Sequence, residues 1–207
     1  MYSFKDTLPQ LQPNIRLLHA AAGAPSIDIY SNGEVVAQKL SFSNITDYIK
    51  VSPGNNNIQI YTAGTYDNPL YEESITLLPN SVMTLSITLL ESDLAIFKLN
   101  DTSKLENRLD TNIRFINLSP NSPLLSLSLP NGNTLFNGVE YLETTNYLSL
   151  SVGIYNFVLE PTEATAFSYF IRDINLRPSY FHTLYIIGLL DEKPRIGSLF
   201  VQDGLIK

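Results

Sequence analysis

"PNIRLLHA" (13–20) recurs as "TNIRFINL" (111–118), 98 residues further on, and this recurrence decides how the chain is read. Three more pairs follow in the same order. "SNG" (31–33) answers "PNG" (130–132), "TDYIKVSPG" (46–54) answers "TNYLSLSVG" (145–153), and "LPNSVMTLSITLL" (78–90) answers "RPSYFHTLYIIGL" (177–189), each at an offset of 99. A period this long lies well beyond the roughly 20–50 residues of solenoid repeats, so two tandem domains are expected. Between them runs "NDTSKLENRLD" (100–110), the most charged and least apolar stretch, as a linker should be. The expected organisation is an N-terminal extension over 1–12, a first repeat over 13–100, a linker over 101–110 and a second repeat over 111–207.

Inside each copy the hydrophobic period is two. Ile15 and Leu17 alternate with Arg16, Ile27 and Ile29 alternate with Asp28 and Tyr30, and Val82, Leu85 and Ile87 stand in a Thr- and Ser-rich run. Such alternation belongs to strands with one face buried and the other in water. Turn signals separate the runs: Asn32-Gly33, Pro53-Gly54, Asn68-Pro69, Pro79-Asn80, Asn131-Gly132 and Asn137-Gly138. Asn-Gly tolerates the positive φ of a tight hairpin. About seven short strands per copy and no amphipathic helix predict an all-β chain of two tandem Ig-like or transthyretin-like β-sandwich domains.

Composition narrows the function. Of the 207 residues 44% are hydrophobic, enough for two cores, and only 16% are charged. Asn alone occurs 19 times, so amides and hydroxyls solvate the surface. A net charge of −7 opposes nucleic acid as a partner, which needs clustered Lys and Arg. The chain has no cysteine, which removes disulfides, thiolate nucleophiles and Cys-ligated zinc. No apolar run approaches the roughly 18 residues of a membrane helix, so membrane insertion is not expected. The start, "MYSFKDTLPQLQPN", carries neither the basic nor the apolar region of a secretory signal.

"IRLLHAAAGAPSIDIYSNG" followed by "DYIKVSPGNNNIQIYTAG" resembles a bacterial domain-of-unknown-function family. Its repeats read V-R-V-x-H-A-S-P-x-A-P-x-V-D-V-Y-x-N-G and then Y-x-x-L-P-A-G-x-Y-x-V-x-V. His19, Ala20, Ala24, Pro25, Asp28, Tyr30, Asn32 and Gly33 match the first motif, and Tyr48, Pro53 and Gly54 the second. Ala21 and Ala22 replace the family's Ser-Pro, and the second copy loses the His and the Asp-Val-Tyr. The resemblance implies tandem domains of secreted or cell-surface proteins and no established activity. An Asn-, Ile- and Tyr-rich, Lys-poor chain without a secretory signal fits deposition on a spore coat or exosporium, with a cytoplasmic location as the alternative.

Five residues are candidates for binding: His19, Asp28, Tyr61, Tyr66 and Tyr71. His19 with Asp28 has the makings of a general-base pair. His19, however, continues the inward phase of Ile15 and Leu17, while Asp28 points outward. The second copy has Asn117 at the place of His19, and Asn shuttles no proton near neutral pH. A structural role for the pair is therefore expected, and no catalytic residue, cofactor or metal. Tyr61, Tyr66 and Tyr71 in "YTAGTYDNPLY" offer rigid amphipathic contact area suited to sugars or proteins. The expectation is a non-enzymatic structural protein that works through self-association or protein partners. The alternative is a carbohydrate-binding or adhesin module that meets cell-surface glycan.

Overall fold

The structure is a computed structural model and describes residues 11–102, 110–163 and 167–204. The first copy contains β1 (Asn14–His19), β2 (Ile27–Ser31), β3 (Glu34–Leu40), β4 (Ile49–Lys50), β5 (Gly54–Thr62), β6 (Tyr71–Leu77), β7 (Val82–Leu90) and β8 (Asp93–Asn100). The second contains β9 (Asp110–Leu118), β10 (Leu125–Ser128), β11 (Thr134–Val139), β12 (Leu148–Ser151), β13 (Gly153–Pro161), β14 (Tyr169–Leu176), β15 (Phe181–Ile187) and β16 (Gly197–Asp203). The described residues thus form eight strands per copy, one more than the alternation predicts. Strand β4 spans only two residues and is too short to carry a period.

Each copy is a sandwich of two four-stranded sheets. The first pairs β4-β1-β7-β8 with β3-β2-β5-β6, and the second pairs β12-β9-β15-β16 with β11-β10-β13-β14. Strand β1 runs parallel to β7, and β9 parallel to β15 at the matching place. All other strand pairings in the sheets are antiparallel. Ile15, Leu17, Leu85 and Ile87 meet Ile27, Ile29, Ile58 and Ile60 to fill the first core. Ile113, Phe115, Leu184 and Ile186 meet Leu125, Leu127, Phe157 and Leu159 in the second.

A third core lies between the sandwiches. Leu18, Ala20 and Leu99 of the first pack on Ile116, Leu118, Tyr185 and Ile187 of the second. The four sheets therefore stack as layers, and the two inner sheets are covered on both faces. This corrects the reading of β1 as half-exposed: all six of its residues are buried, and Arg16 is only 4% exposed. The linker expected over 101–110 has residues 103–109 outside the described residues, as has 1–10 of the N-terminal extension.

The Asn32-Gly33 hairpin forms as expected, with φ of 51° and 81°. Asn137-Gly138 does not make a turn. It lies within β11 at a register shift, and Gly138 has the same left-handed backbone (φ 70°) as Lys39 (φ 52°) at the matching bulge of β3.

Candidate binding site

His19 and Asp28 are not brought together. Strand β1 belongs to an inner sheet and β2 to an outer one, so the two are not neighbours. The His19 ring is fully buried and its Nε2 donates to the Pro25 carbonyl at 2.9 Å. Burial pushes its pKa below the usual imidazole value. His182 has the same tendency for the same reason; its Nδ1 contacts Thr111 Oγ1 at 3.1 Å, and its ring stacks on Phe200. Neither imidazole is open to a substrate.

Asp28 points to the outer face of β2, as the alternation predicts. Its carboxylate accepts the Lys39 N–H at 2.6 Å and the Gly64 N–H at 2.8 Å. It thereby holds both the β3 bulge and the loop after β5. That loop carries Tyr66. Thr65 reinforces it, donating from N–H and hydroxyl to the Thr62 carbonyl at 3.0 and 2.9 Å.

Tyr61 and Tyr66 do come together, but with Tyr30 and not with Tyr71. Tyr61 and Tyr66 stack at 4.8 Å between ring centroids, and Tyr30 sets its ring edgewise to both, at 5.5 and 4.9 Å. Tyr71 shares the inward phase of Ile75 and Leu77 on β6, packs against the core and donates its hydroxyl to Glu73. The spacing of the tyrosines hid this, because Tyr61 faces out of β5 while Tyr71 faces into the sandwich. Tyr30 was detectable as the outward neighbour of Asp28. Glu72 and Glu73 lie in β6, where Glu73 pairs with Lys98.

The largest polar cluster was missed from sequence, and it joins the two sandwiches. Arg16 crosses to Asp203, and Arg114 crosses back to Asp101. Each guanidinium donates Nε–H to a threonine of its own sandwich, Thr84 and Thr183, at 2.7 Å. Each also donates to a carbonyl of the other sandwich, Gln202 at 2.7 Å and Asn100 at 2.8 Å. Tyr48 donates to Asp101 and Tyr147 to Asp203, both at 2.7 Å, while each ring lies under the arginine of its own sandwich. Burial is the largest influence on the Asp101 carboxyl and raises its pKa, while both guanidiniums oppose it. Arg16/Arg114, Tyr48/Tyr147 and Thr84/Thr183 are matched pairs in the repeats, which marks them as shared by both copies but not as partners across the junction.

A family model described as "Domain of unknown function (DUF4397)" matches residues 13–128, more than half of the chain. The chain belongs to the DUF4397 family. The DUF4397 match covers the whole first sandwich and ends with β10 of the second. A search of the curated proteins gives no match. Among solved structures the chain is similar to the Bacillus anthracis TIE protein at 9% identity and a TM-score of 0.26. That similarity covers 90% of this chain and 34% of the other, so this chain spans about a third of its length.

Proposed function

We propose that the protein is a non-enzymatic structural component of a bacterial surface or spore layer that acts by associating with itself. The observation that carries the proposal is the outer face of the second sandwich. Ile154 there is 72% exposed and Phe170 53% exposed, with Val158 paired across the strands to Phe170. These exposed apolar side chains stand at two separate places on the sheet face, with Arg172 over the Phe170 ring at 5.9 Å, and offer contact points to a second copy. The rigid junction between the sandwiches supports a building-block role, since it holds that face at a fixed position. The surface or spore setting rests on the composition and the motif resemblance.

Light scattering across a concentration series tests this. The wild type is expected to gain mass with concentration, and Ile154→Asp with Phe170→Asp to stay monomeric at an unchanged melting temperature. A wild type that stays monomeric up to millimolar concentration would sink the proposal.

A further inference from the structure

We infer that the outer face of the first sandwich is a binding site for uncharged pyranose glycan, centred on Tyr66 and built from Tyr30, Tyr61, Gln59 and Glu72. This goes beyond self-association and uses the opposite end of the four-layer stack.

The duplication supplies an internal control. Where the first sandwich has Tyr30, Gln59, Tyr61 and Glu72, the second has Ser128, Val158, Glu160 and Phe170, at the same strand registers. The second forms the same sheets without the aromatic group, so the fold does not require it.

The group is also preformed. Asp28 and Thr65 fix the loop, and Tyr61 supports Tyr66 from beneath. Tyr61 is 3% exposed although it faces outward, whereas Tyr66 is 54% exposed. One tyrosine thus serves as a base and the other as an accessible ring. The negative face of an aromatic ring attracts the slightly positive C–H groups of a sugar ring.

Polar groups suited to hydroxyls flank the rings. Tyr30, Gln59 and Glu72 form one transverse row across β2, β5 and β6. Asn57 donates to Glu72 at 2.7 Å and orients its carboxylate. Strands β2, β5 and β6 contain no Lys or Arg, and the single Lys of the sheet's remaining strand, Lys39, lies at the β3 bulge beside Asp28, while Glu72 places negative charge on the face. Anionic polymers are repelled there, which leaves uncharged sugars.

Calorimetric titration of the full chain with cellohexaose, chitohexaose and an oligogalacturonate tests the inference. One of the two neutral oligomers is expected to bind and the anionic one not to. Tyr66→Ala is expected to weaken binding at least tenfold with the melting temperature unchanged. Phe170→Ala, on the other sandwich, is expected to leave it intact. Absence of neutral-glycan binding, or binding that survives Tyr66→Ala, overturns the inference. So does a Tyr66→Ala variant whose only change is lost self-association, which would make the occupant a protein. Self-association itself is read separately by the Ile154 and Phe170 variants, so either conclusion can fail alone.

Discussion

His19 and Asn117 fill equivalent places and solve the same problem with different chemistry. Asn117 donates to Ser122 at 2.9 Å and accepts the Ser119 N–H at 3.0 Å, closing the strand end with an amide. His19 does so with one ring nitrogen, on the Pro25 carbonyl. Because the fold lowers the pKa of the ring, the unfolded chain binds more protons just below the usual value near 6.5. Stability therefore falls as pH drops from the unfolded value through the folded-state pKa, and is fully present only above the unfolded value. Between about pH 7.5 and pH 5, His19→Asn should lose less stability than the wild type in urea titrations. His182 keeps a slope in both proteins. Identical slopes would mean that the imidazole is as easily protonated folded as unfolded. His19 was legible because its phase and its replacement in the second copy both point to structure. Arg16 was not: alternation locates the face of a side chain, but an inner sheet has no water on either face.

Bulges illustrate what pattern reading finds and misses among the elements. The strands with long alternation were readable, whereas β4 and the bulge of β11 were not. Gly138 looked like half of a hairpin because Asn-Gly is a hairpin pair. What holds it in a strand instead is Ser126, whose hydroxyl accepts the Gly138 N–H at 3.3 Å, as Asp28 accepts that of Lys39. A Cβ at Gly138 would meet only Thr162 Oγ1, at 3.9 Å, so the space is open and the backbone decides the cost. Gly138→Ala should lower the unfolding free energy by about 1 kcal/mol, the lower end of the left-handed penalty, in chemical denaturation. Lys39 already bears that penalty, with its N–H held by a carboxylate. A Gly138→Ala protein as stable as the wild type would show that the bulge relaxes.

At the scale of the molecule, the buried arginine–aspartate quartet turns two domains into one body. Each arginine reaches both aspartates, Arg16 also lying 3.6 Å from Asp101 and Arg114 3.8 Å from Asp203, so removing one arginine leaves two carboxylates sharing one guanidinium, an uncompensated negative charge where water does not reach. Arg114→Ala is expected to cost about 3–5 kcal/mol, whereas exposed ion pairs are worth about 1 kcal/mol or less. The loss should be nearly independent of salt, since buried pairs are poorly screened. Scanning calorimetry should show the wild type melting in one transition and Arg114→Ala in two. A loss below about 1 kcal/mol would mean that the interface relaxes around the vacancy. The duplication, and hence the two sandwiches, was plain from the repeats. Their docking was not, because contact between domains leaves no period in the sequence.

The parallel pairing of β1 with β7 has an architectural outcome. Asn14 lies beside Val82, and Met83 beside Asn100, so the chain enters and leaves the first sandwich at one pole. Asn112 and Asp203 both lie beside Phe181, which repeats the arrangement in the second. All four crossings gather around the charged quartet. Gly204 lies at that pole as well, its N–H donating to the Tyr48 hydroxyl at 3.0 Å. Loops 20–26, 91–92 and 188–196 lie at the far pole, so whatever touches them is kept a full strand's length from the charged quartet, as the tip of a plug is from its base.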